Sequence, residues 1–355
     1  MKLIRICFIA AVLLLCLIPS ALMLGGYKNA NRENRPLAKL PKLITDKGVN
    51  REFFNELDSY TNDHFALREY MVTALNTVSG ALVSDNIGTN ALIGKSGHLF
   101  FGKTVNDYTG VSQLSGDEID SIAEYLADIA KKFESDGGMF AFMIAPNKAT
   151  IYGEYMPDYL CIEDTPRNID MLTEALKARG VRVIDAKRIL LENKDAGELY
   201  YKHDSHWNDL GAMLVYNEIA ECFSLERFDA YDYKIVNDHT GDLHNFVYPA
   251  TECDEERVVY PELYKYRSKR PIDFKKDKKV ETFSDLNDIE MIVLHDSFAR
   301  SLQPFLSQTV GRLNMSSYFP YNLDYVKQLK PNILLIELVE RNLDELCEYA
   351  RSLGY

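Results

Sequence analysis

The hydrophobic pattern of the chain begins with one long uncharged segment. Lys2 and Arg5 precede residues 6–26, which contain no charged side chain. As a helix, this segment would extend roughly 30 Å, about the thickness of the hydrocarbon core of a bilayer. We predict that residues 1–27 form an uncleaved membrane anchor that contacts lipid through residues 6–26. A cleaved signal segment is the alternative, because it also begins with basic residues followed by apolar ones.

After the apolar segment comes a polar stretch, and after that stretch apolar side chains recur at regular spacing. Residues 28–50 are polar and contain Pro36 and Pro41, which is typical of an extended linker. Residues 51–84 carry apolar side chains at helical spacing. Residues 92–110 hold short apolar pieces separated by glycines, a pattern that favours a hairpin.

From residue 115 onward, amphipathic helices alternate with short apolar strands. Ser115 is a predicted N-cap, and Glu118 three residues later completes a capping box. Helices are predicted at 117–135, 165–179, 187–192 and 208–223, and strands at 139–145, 181–184, 290–294 and 333–338. This alternation predicts an α/β sandwich with a mostly parallel sheet over residues 51–355.

Residues 225–285 break the alternation and are predicted to be an insertion rich in tyrosine and charge. Its basic side chains include Lys265, Arg267, Lys269, Arg270, Lys275, Lys276, Lys278 and Lys279. A run of charge usually marks a solvent-exposed hairpin or loop, and we favour that interpretation. The alternative is a surface that meets an anionic polymer or anionic lipid heads.

The overall charge excludes one class of function. The net charge is -13 at pH 7, whereas general nucleic-acid binding requires a positive surface. Cys161, Cys222, Cys253 and Cys347 lie far apart, and the cysteines and histidines have no spacing typical of a zinc site. We therefore predict no nucleic-acid partner, no metal and no cofactor. We favour buried free thiols over extracellular disulfides for these cysteines.

Polar clusters follow three of the predicted strands and a possible strand end at 198–202. They are Asn147-Lys148, Asp204-Ser205-His206, Asp296-Ser297 and Glu340-Arg341. In open α/β sheets, sites form just past the carboxyl ends of the strands. We therefore expect these four clusters to lie at one edge of the sheet.

Asp204, His206 and Ser297 are the residue types of a nucleophilic triad. A serine nucleophile needs a base for its proton and a carboxylate that orients the base. On an extended or loop segment, Asp204 and His206 point to the same side, which leaves one imidazole nitrogen for a serine. Ser297 follows an apolar strand on a strand-to-helix turn, where helix N–H groups are available for an oxyanion. The alternatives are a surface loop with a capping carboxylate and a helix-cap serine.

These clusters resemble one family when they are taken together. The strand before Asp296-Ser297-Phe298 and the turn itself resemble the nucleophile block of SGNH (GDSL-type) hydrolases. Asp204-Ser205-His206-Trp207 resembles the Asp-x-His-Trp block of AlgJ/AlgX-type alginate O-acetyltransferases and the related bacterial DHHW proteins. Further blocks follow in the same order, namely Asn34-Arg35-Pro36, Gly94-Lys95-Ser96-Gly97-His98-Leu99-Phe100, Pro146-Asn147-Lys148, Gly241-Asp242-Leu243 and Glu340-Arg341-Asn342. Two positions differ, since His98 replaces a usual Trp and His295 replaces the Gly before Asp-Ser.

The resemblance implies an SGNH hydrolase-like fold and an O-acetyltransferase that faces the extracytoplasmic side of the cell membrane. Ser297 would be the nucleophile that carries the acetyl group, His206 the general acid and base, and Asp204 its orienting carboxylate. Candidates for substrate binding or for the oxyanion site are Asn147, Lys148, Arg341 and Trp207. The implied partners are a polysaccharide acceptor and a membrane-bound O-acyltransferase that supplies acetyl groups.

Two other functions fit the same residues. An acetylesterase would use the same triad with water in place of a sugar hydroxyl. A non-catalytic component that binds or assembles polysaccharide would keep the fold alone. For Glu340 and Arg341, a structural ion pair at a strand end is the alternative to a role in the site.

Overall fold

The computed structural model of the protein describes residues 2–29, 37–46, 48–82, 90–229, 232–321 and 323–355. Asn34, Arg35 and Pro36, which belong to the family resemblance, lie outside the described residues. Part of the predicted linker lies outside them too. The chain divides into two units, one formed by Met1–Ala91 and Asp242–Cys253 and the other by Leu92–Gly241 and Asp254–Tyr355.

The helices and the strands are numbered separately, each in chain order. The α-helices are α1 Lys2–Leu24, α2 Phe53–His64, α3 Arg68–Leu82, α4 Val105–Thr109, α5 Gly116–Ser135, α6 Lys148–Ile151, α7 Asn168–Ala178, α8 Ala186–Glu192, α9 Asp209–Phe223, α10 His244–Val247, α11 Gln303–Ser307, α12 Leu323–Leu329 and α13 Leu343–Ser352. The strands are β1 Ile44–Thr45, β2 Gly48–Val49, β3 Ala91–Ile93, β4 Leu99–Phe101, β5 Met139–Ala145, β6 Val183–Ile184, β7 Lys234–Thr240, β8 Asp254–Val259, β9 Arg267–Ser268, β10 Lys279–Phe283, β11 Glu290–Leu294, β12 Arg312–Ser316 and β13 Ile333–Val339. Short 3-10 helices include Phe298–Leu302 and Glu340–Asn342.

In the first unit, α1 is the one helix of the described chain that is long and apolar enough to cross a membrane. It has 23 residues and a mean hydropathy of 2.7 over its most apolar window. A signal sequence has the same features, so the helix supports both interpretations of the N-terminus. The predicted helical region at 51–84 consists of two helices, because Leu67 between them has a φ of 62°. The Asn29 side chain fixes this turn through hydrogen bonds with the Phe65 carbonyl and the Leu67 N–H.

The second unit is built on a seven-stranded sheet with the order β6-β5-β13-β11-β12-β10-β9. Strands β6, β5, β13, β11 and β12 pair in parallel, while β10 and β9 add an antiparallel edge. Strand β5 begins and ends where its continuous apolar run predicts. The mostly parallel sheet expected from the sequence is confirmed.

Helices cover both faces of this sheet, as the apolar runs in the strands require. One buried cluster joins α5, α7 and α13 to side chains such as Phe140, Ile292 and Leu334. The other joins α8 and α9 to side chains such as Met143 and Val293. The predicted capping box at the start of α5 is present, since the Glu118 N–H donates to Ser115 Oγ and Glu118 accepts from the Ser115 N–H.

The region at 225–285, expected to be a solvent-exposed hairpin or loop, contains a largely exposed hairpin and also supplies strands of the main sheet. Within the second unit it supplies the hairpin β7–β8 and the sheet strands β9 and β10. Several of its basic side chains form ion pairs: Arg267 with Asp285, Lys269 with Glu281, Arg270 with Asp277 and Lys276 with Asp273. These carboxylates neutralise much of the local positive charge, which weighs against the alternative of a surface for anionic polymers or lipids.

Candidate active site

Ser297 lies just beyond the carboxyl end of β11, between the neighbouring strands β12 and β13. The His295 N–H donates to the Ser316 carbonyl at 3.0 Å and so extends β11 by one residue. The next residue, Asp296, ties the turn to β13, because its carboxylate accepts from the Val339 N–H at 2.6 Å. The same carboxylate accepts from the Phe298 N–H at 2.9 Å. Ser297 is thereby held on a short turn before the 3-10 helix Phe298–Leu302.

Asp204 and His206 lie in a tight loop that folds back on itself. Tyr200 and Trp207 form an antiparallel bridge across its base. The Asn208 N–H donates to the Leu199 carbonyl at 2.8 Å. The Asn208 side chain then caps α9 by accepting from the Gly211 N–H at 3.0 Å. The loop is fixed at its base by strand-like contacts and at its end by a helix.

The structure brings Ser297, His206 and Asp204 together in one chain of hydrogen bonds. His206 Nε2 lies 2.7 Å from Ser297 Oγ, and His206 Nδ1 lies 2.7 Å from Asp204 Oδ1. Asp204 Oδ1 also accepts from the His206 N–H at 2.9 Å. Distances of 2.6–3.2 Å between nucleophile, base and orienting group are those that a serine nucleophile requires. The catalytic roles of the three residues stay predictions.

Asp204 is buried and ionised in this arrangement. Only 5% of its surface is exposed. Burial by itself raises the pKa of a carboxyl, but hydrogen bonds and charge from His206 and His239 hold the pKa of Asp204 well below its usual range. The second oxygen, Oδ2, contacts His239 Nε2 at 3.0 Å. The carboxylate is therefore ionised and has an imidazole on each oxygen.

Lys148 is a buried lysine that supports the same loop. Its ammonium donates to the carbonyls of Leu99, Tyr201 and Lys202 at 2.7–2.8 Å, and to that of Asp204 at 3.3 Å. Only 3% of the residue is exposed. These contacts favour a role in holding the loop over the predicted role in binding substrate.

Asn147 points toward a buried group of carboxylates. Its backbone N–H donates to Glu340 Oε2 at 2.8 Å, and its Nδ2 donates to Asp107 Oδ2 at 3.1 Å. The Thr150 hydroxyl also donates to Glu340, at 2.6 Å. Burial and the charge of Glu340 raise the pKa of Asp107 to about 7, and burial raises the pKa of Glu340 itself. The Asn147 amide is thus engaged by Asp107 in this structure.

Trp207 and Arg341 both contact Phe298, the residue after Ser297. Trp207 is 1% exposed, meets the Phe298 ring edge-on at 5.0 Å, and donates from Nε1 to Ser301 Oγ at 2.6 Å. The Arg341 guanidinium lies 5.4 Å from the Phe298 ring centroid and 5.1 Å from that of Phe101. Trp207 therefore packs in the core beneath the turn. Arg341 is half-buried against the residue that follows the nucleophile.

A family model described as an SGNH hydrolase-like domain, acetyltransferase AlgX, matches residues 91–316. The chain belongs to this family. It is 22% identical to the probable alginate O-acetylase AlgJ of Pseudomonas putida over 279 residues, which cover 71% of this chain and 70% of that protein. The expected family and the class of enzyme, an SGNH-like O-acetyltransferase, are confirmed.

Two solved structures share the fold of this AlgX-type acetyltransferase. PatB1 of Bacillus cereus aligns with a TM-score of 0.53 and 18% identity, over 65% of this chain and 92% of the other. A DHHW family protein from Eubacterium siraeum aligns with a TM-score of 0.52 and 14% identity, over 75% of this chain and 98% of the other. The predicted SGNH hydrolase-like α/β fold is confirmed.

The two departures from the acetyltransferase pattern are accommodated in different ways. His98 is 3% exposed and stacks on Tyr155, with ring centroids 4.1 Å apart. Burial and the nearby Lys148 ammonium lower its pKa to about 4. His295 is also buried, its Nδ1 contacts the Asp296 carbonyl, and burial lowers its pKa. The imidazole at the Ser297 hydroxyl is that of His206.

Two residues of the site carried no signal in the sequence. His239 contacts Asp204 from strand β7, and the Glu255 carboxylate of β8 accepts from the His203 N–H at 2.8 Å. Both lie in the region that was expected to be a solvent-exposed insertion. A lone histidine in a charged stretch indicates no partner, because the contact depends on how the hairpin folds against the loop.

Proposed function

We propose that this AlgX-type acetyltransferase is anchored in the membrane and acetylates hydroxyl groups of a cell-surface or exported polysaccharide through Ser297. The observation that carries the proposal is the chain of contacts from Ser297 Oγ through the imidazole of His206 to Asp204, with 2.7 Å at each link. The polysaccharide class follows the AlgJ relative, which is named for the acetylation of alginate.

The first half of the reaction forms an acetyl-serine. His206 Nε2 takes the proton from the Ser297 hydroxyl as its oxygen attacks the acetyl carbonyl of the donor. The bond between the acetyl group and the donor breaks, and the leaving group takes the proton from His206. Asp204 keeps the His206 tautomer in which Nε2 accepts, and its charge stabilises the imidazolium.

The second half transfers the acetyl group to the acceptor. His206 takes the proton from a sugar hydroxyl, whose oxygen attacks the Ser297 ester. The ester bond breaks and the proton returns to the serine oxygen. Attack by water in place of the sugar would make the protein an esterase, so access of water to the acetyl-serine decides between the two activities.

The turn itself offers one oxyanion donor. Among the described residues, the backbone N–H of Ser297 has no hydrogen-bond acceptor, whereas the Phe298 N–H is used by Asp296. We assign the Ser297 N–H to the developing negative charge on the acetyl oxygen, because an N–H at the start of a helical turn stabilises an anion.

The chemical test uses a chromogenic acetyl ester, with and without an oligosaccharide acceptor. We expect an acetyl adduct on Ser297 by mass spectrometry, and its loss together with ester turnover in Ser297→Ala. An acceptor that gains acetyl groups faster than free acetate accumulates identifies a transferase. Full activity of Ser297→Ala would refute the serine mechanism.

The topology test uses Cys161, which is a free thiol as expected but is exposed, whereas the sequence predicted it to be buried. We propose that residues 1–27 anchor the protein and that residues 28–50 link the anchor to the domain. The domain faces the extracytoplasmic side of the membrane. On that side, a membrane-bound O-acyltransferase supplies the acetyl groups. A membrane-impermeant maleimide should label Cys161 in intact cells, and Cys161→Ser should remove that label. Labelling of Cys161 only after lysis would place the domain inside.

A further inference from the structure

We propose that His239 is a positioning residue of the acyl-transfer reaction, which fixes the Asp204 carboxylate so that His206 stays aligned with Ser297. This inference rests on the proposed serine mechanism and extends it to a strand, β7, outside the triad segments. His239 contacts the Asp204 carboxylate and would act on His206 through it.

The two oxygens of Asp204 are divided between two imidazoles. Oδ1 accepts from His206 Nδ1 at 2.7 Å, and Oδ2 contacts His239 Nε2 at 3.0 Å. A carboxylate can only accept, so the His239 Nε2 atom carries the proton and donates. A carboxylate held by one oxygen can rotate about its Cβ–Cγ bond, whereas one held by both cannot. The second hydrogen bond thus fixes the plane in which His206 is oriented.

An irregularity of β7 aims His239 at Asp204. In a regular strand, Val236 and His239 would face opposite sides, because they are three positions apart. The pairing of β7 with β8 shifts between Asn237 and His239. Such a bulge re-aims the following side chain and is frequent beside active sites. Val236 and His239 are accordingly the less exposed positions of the strand.

The His239 ring is held in place by stacking and by its own strand. It lies on the Tyr201 ring with centroids 3.7 Å apart and an interplanar angle of 15°. The Tyr201 hydroxyl in turn donates to Asp209 Oδ2 at 2.8 Å. One residue beyond β7, a Cβ on Gly241 would lie 2.1 Å from the His203 carbonyl oxygen, so only glycine permits this approach.

The partner strand grips the same loop through its backbone. Glu255 of β8 accepts from the N–H groups of Lys202 and His203. The hairpin therefore contacts the loop at its backbone through Glu255 and at its functional carboxylate through His239. A hairpin that only covered the loop would need the contact of Glu255 with the backbone, but it would not need the contact of His239 with the Asp204 carboxylate.

The experiment compares two substitutions of His239 in the full-length, detergent-solubilised protein with 4-nitrophenyl acetate. His239→Phe keeps a ring on Tyr201 but has no donor, and His239→Gln keeps a donor without the aromatic ring. The matched control is Asp238→Asn, because Asp238 lies on the same strand and pairs with Arg257 at the surface. Ser297→Ala is measured beside them.

We expect His239→Phe to lower kcat about 10- to 100-fold, as loss of a hydrogen bond to a charged group does, with KM changed less than about twofold. His239→Gln should retain kcat within about fivefold of the wild type, and Asp238→Asn should match the wild type. The downfield proton shared by His206 and Asp204 should shift in the NMR spectrum of His239→Phe and not in that of Asp238→Asn. If His239 acted only by packing its ring, His239→Gln would not have a higher kcat than His239→Phe.

Three results would overturn the proposal. The first is a kcat of His239→Phe close to that of the wild type beside an inactive Ser297→Ala, which would leave the serine mechanism intact. The second is an equal loss of kcat in the folded Phe and Gln variants. The third is an active Ser297→Ala, which would remove the mechanism and the positioning role together. If His239→Phe does not fold, the kcat of His239→Gln tests the proposal by itself. A large loss of kcat in His239→Gln would then contradict the positioning role of His239.

Discussion

His206 Nε2 lies 2.7 Å from Ser297 Oγ, although the two residues are 91 positions apart in the chain. The contact joins two separately fixed segments. Asp296 ties the Ser297 turn to β13, while the Tyr200–Trp207 bridge closes the loop that carries His206. Phe298 packs its ring 4.7 Å from the imidazole and so fills the space between the segments. The base is therefore aligned by folding before any substrate binds.

Replacing Asp204 with asparagine tests whether the carboxylate sets the imidazole tautomer. The amide can donate to Nδ1, which moves the proton to Nε2 and stops His206 from accepting the Ser297 proton. We expect kcat for ester turnover to fall on the order of 10³- to 10⁴-fold in Asp204→Asn. The measurement is steady-state kinetics with an acetyl ester.

The matched control for this substitution is Asp170→Asn. Asp170 is exposed and forms a surface ion pair with Lys187. Exposed ion pairs contribute little to stability. The kcat of this control should therefore stay within about twofold of the wild-type value, and its free energy of unfolding within about 1 kcal/mol. An Asp204→Asn variant as active as Asp170→Asn would exclude an orienting role for the carboxylate.

Local patterns predicted the regular elements and the Asp204–His206 pair because both depend on neighbours in sequence. The apolar run Met139–Ala145 is a strand from end to end, and Ser115 forms the predicted capping box. Asp204 and His206 are two positions apart on a loop, so their shared orientation follows from backbone geometry. Ser297 could be added because a strand-to-helix turn exposes its hydroxyl.

The features that sequence patterns missed depend on contacts between distant segments. Strand β10 lies next to the edge strand β9 and carries the charged residues Lys279 and Glu281, so its polar sequence does not indicate a strand. His239 reaches Asp204 only because β7 contains a bulge, which no periodicity in this charged stretch predicts. Lys148 and Trp207 have the polar groups of binding residues, but tertiary packing engages those groups inside the protein.

Lys148→Met tests whether the buried ammonium holds the active-site loop. The change removes the ammonium donor from the carbonyls of Leu99 and Tyr201, and from that of Lys202, which still accepts from the Leu99 N–H. Because each unsatisfied buried acceptor costs free energy, we expect the free energy of unfolding to fall by about 3 kcal/mol or more. Urea denaturation followed by circular dichroism measures this loss.

The control is Lys132→Met, which removes an exposed lysine from an ion pair with Asp128. Its free energy of unfolding should stay within about 1 kcal/mol of the wild type. Equal stabilities of the Lys148 and Lys132 variants would show that the four carbonyl contacts contribute nothing to the fold.

His98 predicts a specific dependence of stability on pH. Its folded pKa of about 4 lies below the ordinary value of 6.5, so between these pH values the unfolded chain binds a proton that the folded protein does not. Stability therefore rises with pH from about 4 to about 6.5 and is lost as the pH falls through this window. His98→Phe keeps a ring that can stack on Tyr155 and removes this titration.

The measurement is the free energy of unfolding of both proteins at pH 7.5 and pH 4.5. The wild type should lose about 2 kcal/mol more than His98→Phe between these values. Every other titrating group is common to the two proteins and cancels in the comparison. Parallel losses in the two proteins would contradict the assignment of a depressed pKa to His98.

Arg341→Met tests whether the cation beside the nucleophile binds the acceptor. The guanidinium contacts the rings of Phe101 and of Phe298, the residue that follows Ser297 in the chain. A positioned guanidinium forms hydrogen bonds with sugar hydroxyls or carboxylates of an acceptor, and the small acetyl donor does not need it. We expect KM for an oligosaccharide acceptor to rise about tenfold or more, with turnover of the acetyl ester in water unchanged.

Arg351→Met, which removes an exposed arginine paired with Glu118, is the control for lost surface charge. An unchanged acceptor KM in Arg341→Met would assign the residue to the packing of the Phe298 turn.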